Sequence, residues 1–182
     1  MKNSFWSRKK INIITLYIFY IIRVKNFNSE VCVSTDKKIV IGCDHGGFEL
    51  KEVLTSKLEQ MDYEVFDAGT NGPESVDYPI FAERVAKLIL SGEASRGILI
   101  CGTGIGISIS ANRFNGIRAS LCTSVEMARL TRQHNDSNVL ALGGRTTSDE
   151  LAIKILNEWL VTDYEGGRHQ IRIDKIDKIN LA

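Results

Sequence analysis

The feature that most constrains this chain is an alternation. Five short apolar runs, residues 38–43, 64–67, 96–100, 117–122 and 139–142, are separated by stretches whose apolar residues recur at helical spacing. Phe48, Leu50, Val53, Leu54 and Leu58 predict a helix over 46–61. Ile80, Phe81, Val85, Leu88 and Ile89 predict another over 78–90, with Pro79 suited to its first turn. Further helices are predicted over 105–114, 125–133 and 149–160, the last with Ser148 as its N-cap. Strands apolar on both faces that alternate with helices require a parallel sheet covered on both sides. The expected fold is therefore a three-layer α/β/α sandwich around a five-stranded parallel Rossmann-like sheet, followed by a helical tail over 168–179. Ligands of such folds gather at the carboxyl ends of the strands. That rule singles out Asp44 and His45 after the first strand, Cys101 to Gly106 after the third, and Gly143 to Arg145 after the fifth.

The 182 residues suffice for one domain with an appendage. Residues 1–36 form an N-terminal extension and 37–182 the folded domain. The extension carries most of the charge asymmetry: six Lys or Arg stand against one Glu in residues 1–35, while the whole chain has a net charge of only +1. Its apolar stretch, residues 11–22, is shorter than the roughly 20 residues needed to span a bilayer. Three readings stay open for it: a targeting segment, a membrane-surface anchor, or upstream sequence from a misassigned start. The mildly acidic remainder argues against broad nucleic-acid binding, and no membrane association is expected of the domain. A cytoplasmic location is the expectation, with targeting by the extension left open.

Chemistry concentrates in Ile100-Cys101-Gly102-Thr103-Gly104-Ile105-Gly106. A dinucleotide loop needs Gly-x-Gly-x-x-Gly, and here the third glycine comes one residue early. A phosphate loop would end Gly-Lys-Ser/Thr, which is absent. What remains is a strand-to-helix turn whose amides can hold an anion. Cys101 stands where a helix start favours the thiolate and suits it to act as a base; a buried, inert strand thiol is the competing reading. The four cysteines and three histidines show no metal-ligand spacing, and no histidine pair stands in helical i, i+4 register, so no metal is expected. His45 and His134 are expected beside loops at the ligand edge, and His169 lies in the Tyr164-Glu165-Gly166-Gly167-Arg168-His169 segment. Arg168 and Arg172 are four apart, which places them on one face of a helical tail. With Arg145 they match the bidentate geometry of a phosphate, or else are solvated surface charge.

Taken together, Cys43-Asp44-His45-Gly46-Gly47, Asp77-Tyr78-Pro79, Ile100 to Gly106, Arg132 to Asp136 and Glu165-Gly166-Gly167-Arg168-His169 resemble the type B ribose-5-phosphate isomerase family. That family also includes allose-6-phosphate and galactose-6-phosphate isomerases. The resemblance spans residues 37–180. It implies cofactor-free interconversion of ribose 5-phosphate and ribulose 5-phosphate, a step of the non-oxidative pentose phosphate pathway. The alternatives are allose 6-phosphate or galactose 6-phosphate as substrate, or a sugar-phosphate-binding protein without catalysis. It further implies a homodimer or tetramer with active sites at the subunit interface. By resemblance Cys101 is the base, the Gly102, Thr103, Gly104, Ile105 and Gly106 segment the oxyanion cradle, and His134, aided by Asp44, the ring-opening acid and base. Asn135, Tyr78 and Arg145 bind substrate, and His45, Arg168 and Arg172 clamp its phosphate.

Overall fold

A computed structural model describes residues 37–179. The chain divides into two units, Met1–Thr35 and Asp36–Ala182, and the described residues all belong to the second. The expectations made for the N-terminal extension lie outside them.

Five strands form one wholly parallel sheet: β1 (Lys38–Cys43), β2 (Glu64–Asp67), β3 (Arg96–Cys101), β4 (Ala119–Leu121) and β5 (Val139–Gly143), in the order β2-β1-β3-β5-β4. Six helices accompany them: α1 (Phe48–Gln60), α2 (Tyr78–Leu90), α3 (Ile105–Ala111), α4 (Val125–Asn135), α5 (Asp149–Val161) and α6 (Gln170–Ile176). The steps β1 to β2 and β4 to β5 run one way across the sheet; β2 to β3 and β3 to β4 run the other. Right-handed crossovers then put α1 and α4 on one face and α2 and α3 on the opposite one. The core divides accordingly. Ile39, Ile41, Ile98, Ile100, Leu140 and Leu142 pack with α1, α4 and α5 around the fully buried Trp159. Val40, Leu99 and Cys101 pack with α2 and α3. Successive strand residues alternate between the two clusters, as the period of two requires.

Expected and observed boundaries differ in instructive places. The third helix stops at Ala111, short of residue 114, because Asn112 caps it and turns its side chain to the edge strand. The Asn112 amide donates to the Ala119 carbonyl and accepts from the Ala119 N–H, both at 2.8 Å. A side chain thus serves as β4's outer neighbour, and β4 holds three residues rather than six. The first helix begins at Phe48 after a 3-10 turn at His45–Gly47, and the tail opens with another at Gly167–His169. Ser148 caps α5 by accepting from the Leu151 N–H. Among the described residues no helix is long and apolar enough to cross a membrane.

Candidate active site

Chain direction creates the cleft. From β1 the chain steps outward to β2, and β3 returns on the other side of β1, so the connections diverge above the carboxyl ends of β1 and β3. Three loops meet there and lock together. Asp44 follows β1: its N–H donates to the Ile100 carbonyl at 3.2 Å, and its buried carboxylate accepts from the Gly46 N–H at 2.8 Å. The β3 loop is held by β5's, with Gly144 N–H donating to the Cys101 carbonyl at 2.8 Å and Arg145 N–H to the Gly102 carbonyl at 3.0 Å. The loops press so closely that a Cβ on Gly46 would lie 2.9 Å from the Gly102 nitrogen.

Cys101 is buried at the centre of this junction, 4 % exposed, and its Sγ accepts the Gly104 N–H at 3.2 Å. An amide aimed at sulfur presents its positive end to any charge the sulfur carries. The turn needs Gly104 itself, whose φ is +77°. Thr103 sits exposed in the same turn, with Oγ1 accepting from the Ile105 N–H at 3.4 Å. Tyr78 opens α2 and lays its half-exposed ring on Gly106, where a Cβ would stand 2.7 Å from the ring. His45 Nδ1 accepts from the Val76 N–H at 3.2 Å, which leaves Nε2 as the ring's free nitrogen. A cavity of about 220 Å³ lies beside it, lined by His45, Gly46, Phe48, Glu49, Pro73 and Arg145 among others. The Arg145 guanidinium reaches back over Gly102. The structure thus gathers Cys101, Asp44, His45, Tyr78, Arg145 and the Gly102, Thr103, Gly104, Ile105 and Gly106 turn at one edge.

His134, Asn135, Arg168 and Arg172 are elsewhere, which corrects the expectation that His134 shares the ligand edge. Helix α4 leaves the carboxyl end of β4 and returns to the amino end of β5, so its last residues occupy the opposite edge. Arg118, just before β4, fixes them there: its Nε donates to the carbonyls of Asn135 and Asp136 at 3.1 and 2.9 Å. Asp136, in the left-handed conformation, ion-pairs with Arg118 and Arg132. The six residues of β3 span about 16 Å at the usual rise, so in one chain the sheet's length separates Cys101 from His134.

This second edge has its own organisation. Glu165 N–H donates to the Gln133 carbonyl at 3.1 Å, tying the tail to α4. Gly166 and Gly167, at φ +65° and +56°, then turn the chain back. That turn brings His169 onto His134, with ring centroids 4.4 Å apart and planes 9° from parallel. Burial, seconded by His134, Arg168 and Arg172 and opposed by Glu165, holds the His169 pKa below its ordinary value. Sequence reasoning missed this pairing, because nothing in the spacing of two distant histidines signals a contact. The ligand atoms of His134, Glu165 and His169 lie within 4.8 Å of one another, the donor set of a divalent cation. Stacked rings direct their nitrogen lone pairs side by side rather than at one point, however, and Arg168 Nε already donates to His169 Nε2 at 3.4 Å.

A parallel α/β sandwich with a thiol and bare amides at its switch point and a cationic, histidine-bearing opposite edge has close counterparts. The chain matches the Ribose/Galactose Isomerase family over residues 39–176 and belongs to that family. Ribose-5-phosphate isomerase B of Escherichia coli (strain K12) is 52 % identical over 143 residues, covering 79 % of this chain and 96 % of that protein. Among solved structures, ribose-5-phosphate isomerase B of Clostridium thermocellum is 53 % identical with a TM-score of 0.78, covering 79 % of this chain and 97 % of that one. The enzyme of Thermotoga maritima is likewise 53 % identical, with a TM-score of 0.77 and 78 % and 98 % covered.

Proposed function

We propose that this chain is an aldose–ketose isomerase that interconverts ribose 5-phosphate and ribulose 5-phosphate, and that two copies together build each active site. The observation that carries the reading is the buried Cys101 thiol under the Gly104 amide at the carboxyl edge, with the histidine and arginine cluster a sheet's length away. A site needing both is complete only when the amino edge of a second copy docks over the carboxyl edge of the first. Such reciprocal docking is what a two-fold homodimer provides.

Ribose 5-phosphate enters as a ring. His134 of the second copy, with Asp44, moves protons so that O1 loses its proton, the C1–O4 bond breaks and O4 gains one. The Cys101 thiolate then takes the C2 proton. The C2–H electron pair forms the C1–C2 double bond, and the former carbonyl electrons settle on O1. The turn amides and the Thr103 hydroxyl supply fixed donors for this oxyanion, arranged before it forms. The thiol returns its proton to C1, the O2 proton passes to O1, and the ketose results with no redox partner. Arg168 and Arg172 of the second copy, with His45, hold the phosphate by charge-assisted hydrogen bonds. Asn135 and Arg145 bind sugar hydroxyls, and Tyr78 walls the pocket.

The test is Cys101→Ala. Turnover of ribose 5-phosphate falls to background while calorimetric binding of the sugar phosphate persists. A mutant that retains full turnover removes Cys101 as the base. Allose 6-phosphate and galactose 6-phosphate assayed beside ribose 5-phosphate with the intact protein fix the substrate class.

A further inference from the structure

We propose that His169 is a positioning residue for His134: its buried ring is the flat surface against which the His134 imidazole is held for ring opening. This rests on the role given to His134 above. The geometry is direct, since the two rings stack at 4.4 Å and 9°. His169 is 7 % exposed, whereas His134 is only partly covered, so His134 is the more open ring and His169 lies behind it. His169 is itself fixed from several sides. Its N–H donates to the Gly166 carbonyl at 3.1 Å, Arg168 Nε reaches its Nε2, and the tail is tied to α4 through Glu165. The stack is therefore a built contact between α4 and the tail.

The charges around the stack fall mainly on His169. Arg168, Arg172 and His134 face His169, with Glu165 Oε2 at 3.7 Å as the opposing group; Asp136 and Arg132 on α4 are engaged with each other. The His169 ring, removed from water and faced by cations, is held neutral. His169 contributes by its shape and its lack of charge, not by accepting a proton from the sugar.

Two variants separate this role from simple support of the tail. His169→Phe keeps a flat, neutral ring; His169→Leu keeps apolar bulk without one. The expected result is that His169→Phe retains kcat within about threefold, while His169→Leu loses about tenfold in kcat with KM for ribose 5-phosphate little changed. Collapse of the tail would instead displace Arg168 and Arg172 and raise KM. The pH profile of kcat/KM should keep the same acid limb in His169→Phe, because His169 is not the group that titrates there. Equal loss in both variants, a loss confined to KM, or disappearance of the acid limb in His169→Phe overturns the proposal. His134→Asn is run alongside: if it too leaves kcat untouched, the role of His134 fails. If it abolishes turnover while His169→Leu is silent, only the positioning role fails.

Discussion

Gly104 shows how much of the site rests on one residue without a side chain. Its φ of +77° lies in the left-handed region, and a Cβ there would stand 2.8 Å from the Leu142 carbonyl carbon and 2.6 Å from a Leu121 methyl. Its N–H is the donor to Cys101 Sγ. Gly104→Ala therefore combines backbone strain with a collision against main chain that cannot move aside. The expected cost is about 2–4 kcal/mol, with activity lost alongside. Gly92 provides the control: its φ is +82°, yet nothing lies within 4 Å of its would-be Cβ. Gly92→Ala should cost only the backbone part, about 1 kcal/mol, and leave turnover intact. Urea unfolding of the two variants checks the difference, and equal destabilisation would show that the collision is relieved elsewhere.

At the scale of elements, the sheet was legible because each strand is apolar on both faces and each intervening helix has one apolar stripe. The Cys101 turn was legible for the same reason: a thiol and glycines at the end of such a run can only emerge at the carboxyl edge. The length of β4 was not, because Asn112 replaces a strand neighbour with a side-chain amide, which no periodicity reports. The His134–His169 stack was hidden too, since it depends on two adjacent positive-φ glycines folding the tail onto α4. The edge occupied by His134 was readable in principle. A helix that ends just before a strand must deliver its last residues to the amino edge of a parallel sheet. Its place in a loop drew His134 toward the ligand edge beside Cys101, and the topology of a single chain keeps them apart.

At the scale of the whole molecule, the core holds groups that depend on staying protonated. Burial pushes the Cys43 thiol up to about 11, against a smaller lowering by its hydrogen bond with the Thr70 backbone and by Lys51, and pushes Cys122 up to about 12. Burial alone would lower buried Lys51, but its bonds to Asp67 and Glu52 outweigh this and raise it. Each folded-state value exceeds its unfolded one, so each group's contribution is complete below the unfolded value and declines as pH rises through the folded one. Stability should be level from neutral pH to near the ordinary thiol value of 9.0, then fall through about 11 and 12. Urea midpoints at successive alkaline pH values measure this, and a constant midpoint across that range would contradict it.

We propose that one active site draws on two chains, so the decisive experiment mixes two dead ones. Cys101→Ala chains keep an intact histidine and arginine edge; His134→Asn chains keep an intact thiol edge. Each preparation alone should be inactive. Co-expressed in equal amounts, half the dimers pair one chain of each kind, and one of the two sites in such a dimer is wholly wild type. Turnover of ribose 5-phosphate should then recover to about a quarter of the wild-type rate. Recovery no greater than the sum of the two parents would mean that Cys101 and His134 do not meet across subunits, and the account of the site would fail.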